Sequence, residues 1–317
     1  MNVEYLILSD SKDYTTDYVA IELHNRKLKY LRLDRDLLDN YKINFDLNRL
    51  ELNVKIDDFS YVISKKLKGV FYRAPTYLRE TFNSATSPNE QIKNSQWMAF
   101  FRNLELFSNA KWINSPSKTF LAENKLYQLK IAKSIGFKIP NTLVSNNVNF
   151  VSNKFSKTKL IVKSLDTVVL SFGNTEEGFF YTNDTSLHEL EECNLSLAPI
   201  ILQNKLEEKI DIRVTVVGKW ANAVSILRKG TLIGVSDDWR KEKNSVKFEN
   251  VKLPRTILAK CIRIVSELGL VYGAIDLIYS KGEYYFIEIN PTGEWAWLVH
   301  SCGQDTQLAI CNELVCE

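Results

Sequence analysis

Three oxygen-bearing side chains near the C-terminus have the types and spacing of a hard-metal site. Asp276 lies in GAIDL, and Glu288 and Asn290 lie in FIEINPTGEW, with a tight Ser280-Lys281-Gly282 turn between the two runs. Side chains alternate along a strand, so Glu288 and Asn290 share one face. Cross-strand pairing brings Asp276 onto that face. Two carboxylates and an amide oxygen suit magnesium that also contacts phosphate oxygens. Ile287 and Ile289 are expected to point the other way, into a core. The plain alternative for this spacing is a solvated strand face. A second chemistry comes from lysines. Lys163 ends the apolar run LIVK, and Lys125 lies in a helix within ENKL. A triphosphate needs cations besides the metal, and lysine is a usual point-charge partner. Each lysine taken singly reads as a surface residue. Neither GxxxxGK(S/T) nor GxGxxG occurs, so no P-loop and no dinucleotide fingerprint can be invoked. His24, His188 and His300 form no triad with a serine and read as structural.

These residues must be positioned by elements that the pattern allows to be placed. Residues 1–115 read as an α/β lobe: strands at Val3–Leu8 and Leu28–Leu33 flank a helix starting near Thr16. Short strands alternate over Ile43–Ile63, and Gly69–Arg73 is another strand. Trp97, Phe101, Leu104 and Phe107 mark one face of a helix. A second lobe, residues 116–200, opens with one helix from Pro116 to about Ile135, stopped by Gly136. It continues with a strand Lys159–Lys163, a hairpin or loop over Ser164–Tyr181, and a short acidic helix over Thr185–Glu192. The third lobe, residues 201–317, holds a hairpin turning at Gly218-Lys219, a helix from Pro254 to Leu268, the hairpin carrying the acids, and a last helix from about Asp305.

Composition narrows the class. The chain has 317 residues, 45% hydrophobic and 25% charged, ordinary for a globular protein. A net charge of +3 argues against a protein built to grip nucleic acid. Cys193, Cys261, Cys302, Cys311 and Cys316 contain no CxxC pair, so no disulfide framework or thiol zinc site is expected. No run of about 18 apolar residues occurs, so no membrane span is expected. The short apolar N-terminal run reads as a strand rather than a secretory signal. A reducing cytoplasm is the expected location.

Taken in order, Lys125, Lys163, ILQNKLEE, DIRVTVVG, GAIDL and FIEINPTGEW resemble the ATP-grasp superfamily over roughly residues 70–300. FYRAP, WINSPSKTFLAENKLYQLKIAKSIGFKIPNT, DDWR and EINPTGEW look more closely like the graspetide ligases. These microviridin-type enzymes macrocyclise ribosomal peptides through side-chain esters or amides. The resemblance implies a mixed α/β fold of three packed lobes, with the nucleotide between the middle and C-terminal lobes. It implies ATP and Mg2+, with two ions bridged by Glu288 if two are present. Lys125 and Lys163 would hold phosphates. Gln203 and the backbone around Lys205 and Leu206 would read adenine, and Glu208 or Asp211 would take the ribose. Arg213 would face the transferring phosphate, and Asp276, Glu288 and Asn290 would bind metal. Asp238 and Arg240, the DxR element, would serve the peptide: Arg240 as a planar clamp, Asp238 to orient or deprotonate the acceptor. Arg73 and Arg228, each at a strand end, are further candidates for anion contact.

The implied partner is a ribosomal precursor peptide whose basic leader docks on Glu189, Glu191 and Glu192. A homodimer is implied by the same analogy. The implied reaction phosphorylates a Glu or Asp carboxylate of the peptide, and a Ser, Thr or Lys side chain then displaces phosphate. Three rivals share the nucleotide site or its fold: a ligase acting on free amino acids, a regulator without turnover, and a small-alcohol kinase.

Overall fold

The computed structural model describes residues 1–73, 87–155, 159–166, 169–171, 177–179, 182–235 and 245–315. Its first strand, β1 (Tyr5–Ser9), is buried throughout. It leads into α1 (Tyr14–Asn25), where Asp13 caps the helix by accepting from the Thr15 N–H. β2 (Tyr30–Asp34) returns parallel to β1. The alternating stretch forms an antiparallel meander, β3 (Tyr41–Asp46), β4 (Glu51–Ile56) and β5 (Phe59–Ile63). β6 (Gly69–Tyr72), α2 (Pro88–Asn103) and β7 (Lys111–Ile113) complete a parallel sheet of order β2-β1-β6-β7. Arg73 follows β6, at the carboxyl end of the sheet, where ligands of open α/β sheets gather.

The single helix expected from Pro116 to Ile135 is two helices, α3 (Pro116–Ala122) and α4 (Lys125–Ile135). Asn124 stands between them in an extended conformation, with its Nδ2 donating to Leu121 O at 3.2 Å. Asparagine competes for backbone partners and favours helix starts over helix interiors, so Lys125 begins a helix instead of lying inside one. Beyond it come β8 (Thr142–Ser145), α5 (Val148–Phe155), β9 (Leu160–Lys163), β10 (Val169–Ser171), β11 (Glu177–Phe179), β12 (Asn183–Thr185), α6 (Leu187–Glu192) and β13 (Ile200–Asn204). β10 and β11 form the small hairpin expected there. The others make an antiparallel sheet of order β12-β9-β13-β8.

The last part contains β14 (Lys209–Val217), β15 (Trp220–Arg228), β16 (Val246–Asn250), α7 (Arg255–Glu267), β17 (Tyr272–Ser280), β18 (Glu283–Asn290), α8 (Ala296–Cys302) and α9 (Thr306–Val315). Its sheet runs β16-β15-β14-β17-β18, so β18 is an edge strand. One face is apolar: Val214, Val216, Ile275, Leu277, Phe286 and Ile289 bury against α4 and α7. The opposite face changes character along its length. Val217, Tyr272 and Ala274 join a core with β1, α1 and α9, while Arg213, Asp276 and Glu288 occupy the polar end. Strand alternation, shifted by one residue where the pairing of β17 and β18 slips, produces this division.

The residues expected to form one middle lobe, 116–200, divide between two cores. Ala122, Leu129, Ala132 and Phe137 pack with the C-terminal sheet. Val151, Phe155, Leu160, Leu190 and Leu202 form a separate core under β8, β9 and β13. Among the described residues, no helix is long and apolar enough to cross a membrane.

Candidate active site

A charged row crosses three strands. Arg213 pairs in register with Asp276, and Asp276 with Glu288. Directly opposed residues share a sheet face, so this row is a consequence of register. Between Asp276 and Leu277 the pairing shifts, with Leu277 opposite Phe286. Ile287 is thereby the extra residue of a β-bulge. The bulge corrects one expectation: Phe286 and Ile289, not Ile287 and Ile289, enter the core, and Ile287 is only half-buried. It also turns Glu288 to the side opposite Phe286, two residues away.

Arg213 Nε lies 3.1 Å from Asp276 Oδ1, with the two side chains 9% and 20% exposed. That is ion-pair distance, yet the alignment makes no hydrogen bond, and the buried Nε and Nη1 lack hydrogen-bond partners among the described residues. An unmet buried donor costs about 1–3 kcal/mol. A guanidinium left in that state is suited to an anion. Asn290 is exposed, and its Oδ1 accepts from the Thr292 N–H at 3.0 Å. Among the described residues, no group of three or more His, Cys, Asp or Glu could hold a metal ion. A cation here would rest on two carboxylates and one amide oxygen.

The turn after Asn290 is gripped at three successive carbonyls. Asn114 Nδ2 donates to Pro291 O at 2.9 Å. Arg73 Nη1 donates to Thr292 O and, at 3.1 Å, to Gly293 O. The Tyr272 hydroxyl donates to Gly293 O at 2.6 Å. Asn114 is itself fixed: its Oδ1 accepts from Val271 and Tyr272 N–H groups and its Nδ2 also donates to Tyr272 O. Arg73 is anchored by Asp13 Oδ2 at 2.9 Å, so the cap of α1 connects to the turn. At Gly293 a Cβ would fall 2.5 Å from the Ala274 Cβ, which is why no side chain is carried there. Just before the turn, Gln128 of α4 hydrogen-bonds both backbone groups of Ile289.

Lys125 reaches the strand end that bears Lys163. Lys125 Nζ donates to Ser164 O at 2.9 Å, and Ser164 directly follows Lys163 at the end of β9. Gln203 is buried beside β8, with Nε2 donating to Thr142 Oγ1 at 2.9 Å and Oε1 without a hydrogen-bond partner among the described residues. The Lys205 N–H is committed to Lys159 O, and its ammonium pairs with Asp184. Leu206 is half-buried in the connector between β13 and β14. Glu208 is exposed there with φ 50°, and Asp211 pairs with Lys209 Nζ at 2.7 Å.

The remaining candidates lie apart. Glu189 closes a capping box on α6, accepting from Ser186 N at 2.7 Å and from its hydroxyl. Glu191 and Glu192 are exposed, with Glu192 Oε2 3.5 Å from His188 Nδ1. Arg228 ends β15 exposed. Asp238 and Arg240 fall outside the described residues.

Sequence reading assigned no role to Asn114, Gln128 or Tyr272. The available signal for Gln128 was an amide side chain on the apolar face of a helix; buried amides require partners.

No protein-family model and no curated protein matches the chain. Solved structures do. The macrocyclase MdnC from Microcystis aeruginosa MRC, bound with precursor peptide MdnA, superposes with TM-score 0.83 at 23% identity, covering 100% of both chains. A RiPP-associated ATP-grasp ligase from Chryseobacterium gregarium, in complex with ADP and a leader and core peptide, gives TM-score 0.83 at 25% identity, covering 99% of this chain and 97% of that one. Macrocyclase MdnB from the same Microcystis gives 0.74 at 25%, covering 98% of each. The expected mixed α/β architecture is therefore that of these proteins over the whole chain.

Proposed function

We propose that this chain, built on the ATP-grasp fold, is an ATP-dependent ligase that macrocyclises a ribosomal precursor peptide. It would activate Glu or Asp side chains as acyl phosphates and join them to Ser or Thr hydroxyls or Lys amines. The observation that carries this reading is the Arg213–Asp276–Glu288 row, in a chain that also holds Lys125 at the strand end bearing Lys163 and is alike end to end to peptide-bound ligases.

The residues present fit Mg2+ and ATP. Asp276, Glu288 and Asn290 are hard oxygen donors and would hold one or two ions, which would neutralise phosphate charge. Lys125 and Lys163 would take phosphate oxygens. The unmet donors of Arg213 would face the phosphoryl group in flight, where preorganised charge counts most. Gln203 Oε1, buried and unmet, is an acceptor suited to the exocyclic amine of adenine. Since the Lys205 N–H is already bonded, the connector backbone at Leu206 is assigned to the ring edge. Glu208, exposed at the mouth of β14, is assigned to the ribose, leaving Asp211 to its lysine.

On the peptide side, Asp238 and Arg240 would orient the acceptor and the activated carboxylate. Glu191 and Glu192 would dock a basic leader, with Glu189 serving chiefly its own helix. Arg73 acts by holding the turn beside the metal ligands rather than by touching substrate. A homodimer in a reducing cytoplasm completes the reading.

The test uses purified protein, ATP, Mg2+ and its cognate precursor peptide. Mass spectrometry should record loss of one water mass per bond formed, with stoichiometric ADP. A gain in mass would point to ligation of free amino acids, and a phosphorylated product to a kinase; either refutes macrocyclisation.

A further inference from the structure

Gln128 lies on α4, one helical turn after Lys125, and is 2% exposed. Its Nε2 donates to Ile289 O at 2.8 Å, and its Oε1 accepts from Ile289 N at 3.0 Å. One primary amide thus does for Ile289 what a neighbouring strand would do. The need arises from topology, because β18 is the edge of its sheet and the outward backbone groups of Ile289 have no strand beyond them. Nε2 also donates to Ala122 O at 2.6 Å, which anchors the amide at the end of α3.

Ile289 stands between Glu288 and Asn290 and next to the bulge at Ile287. A bulge is where register is easiest to lose, and a slip of one residue exchanges the two faces of a strand. A slip here would turn Glu288 toward the core. The same helix also carries Lys125, bonded to Ser164 O beside Lys163. One short helix therefore ties the strand bearing the acids to the strand end bearing the phosphate lysine.

We infer that Gln128 is a positioning residue for metal and nucleotide: it pins the register of β18 so that Glu288 and Asn290 face the site, and it couples their position to Lys125. The inference rests on reading Glu288 and Asn290 as metal ligands. Neither leucine nor asparagine replaces the group, since leucine has no polar atoms and asparagine is one methylene short of both backbone partners.

The experiment compares Gln128→Leu and Gln128→Asn with Leu268→Ala, a truncation in the same core away from β18. Calorimetry reads the Mg2+ concentration needed for half-maximal ADP binding, and hydrogen exchange reads the Glu288–Asn290 amides in ligand-free protein. For the Gln128 variants the Mg2+ requirement should rise about tenfold, the scale expected when an outer partner of a metal ligand is removed, and exchange at Ile289 should accelerate. Leu268→Ala should lower the thermal midpoint while leaving the Mg2+ requirement within about twofold of wild type, well below the scale of an outer-partner loss. If Gln128→Leu does not fold, Gln128→Asn carries the comparison. An unchanged Mg2+ requirement in the Gln128 variants, or an equal rise in Leu268→Ala, overturns the inference. ADP binding by wild type that ignores Mg2+ overturns the metal reading, and this inference with it.

Discussion

Arg213 and Asp276 face one another with little solvent between them, so removing the Asp276 carboxylate takes an opposite charge from a buried guanidinium. One-sided loss of such a pair costs about 3–5 kcal/mol; at 9% and 20% exposure the lower end applies. Asp276→Asn should therefore destabilise ligand-free protein by roughly 3 kcal/mol and reduce ADP release by at least about 100-fold. Urea midpoints and a coupled ADP assay read the two effects separately, and an unchanged midpoint would mean the pair is not the buried couple described. Gln203 gives a finer test. Gln203→Leu removes an acceptor worth about 0.5–1.5 kcal/mol, so ATP should bind roughly three- to tenfold more weakly. The preference for ATP over GTP should shrink with it. Retained discrimination in a titration of both nucleotides would remove Gln203 from the adenine site.

The turn 291–293 shows how elements make a site. Its carbonyls are held from the residue after β6, from the segment after β7, and from β17, so three distant stretches of chain set the direction in which Asn290 leaves β18. Gly293→Ala would force a Cβ to within 2.5 Å of Ala274. Overpacking of this kind costs about 1–3 kcal/mol, and the turn has to move to relieve it. The expected result is a lower thermal midpoint together with weaker Mg2+-dependent ADP binding; loss of stability with unaltered binding would show the turn does not set the ligands. Much at this scale was legible beforehand. The acidic hairpin, its Ser280-Lys281-Gly282 turn, the strand ending in Lys163 and the strand leading to Arg73 follow from alternation and turn chemistry. The bulge at Ile287 was not legible, because nothing in FIEINP marks where pairing with GAIDL shifts. The break at Asn124 was obscured by a helical pattern continuous on both sides. The clamps by Asn114 and Gln128 link residues more than 150 positions apart, beyond the reach of local pattern.

At the scale of the molecule, one sheet serves two cores and a site. Its inner face buries Cys261 with α4 and α7, and the apolar end of its outer face buries Tyr272 and Cys311 with the N-terminal lobe. Burial pushes the thiols of Cys261 and Cys311, and the Tyr272 hydroxyl, up to about 12. Unfolding exposes them and restores ordinary values, 9.0 for cysteine and 10.0 for tyrosine. Above pH 9 the unfolded chain has lost protons that the native chain retains, so stability falls as pH rises. The stabilising contribution is complete below the unfolded values and is lost progressively up to about pH 12. By pH 10 each thiol has cost on the order of 1 kcal/mol, so the two together predict a loss of roughly 2–3 kcal/mol relative to pH 8. Urea unfolding at pH 8, 9 and 10 measures it. The double variant Cys261→Ala, Cys311→Ala should start less stable at pH 8 and lose much less between pH 8 and 10. Parallel pH profiles for variant and wild type would show that the two cores do not hold their thiols out of water as this packing requires.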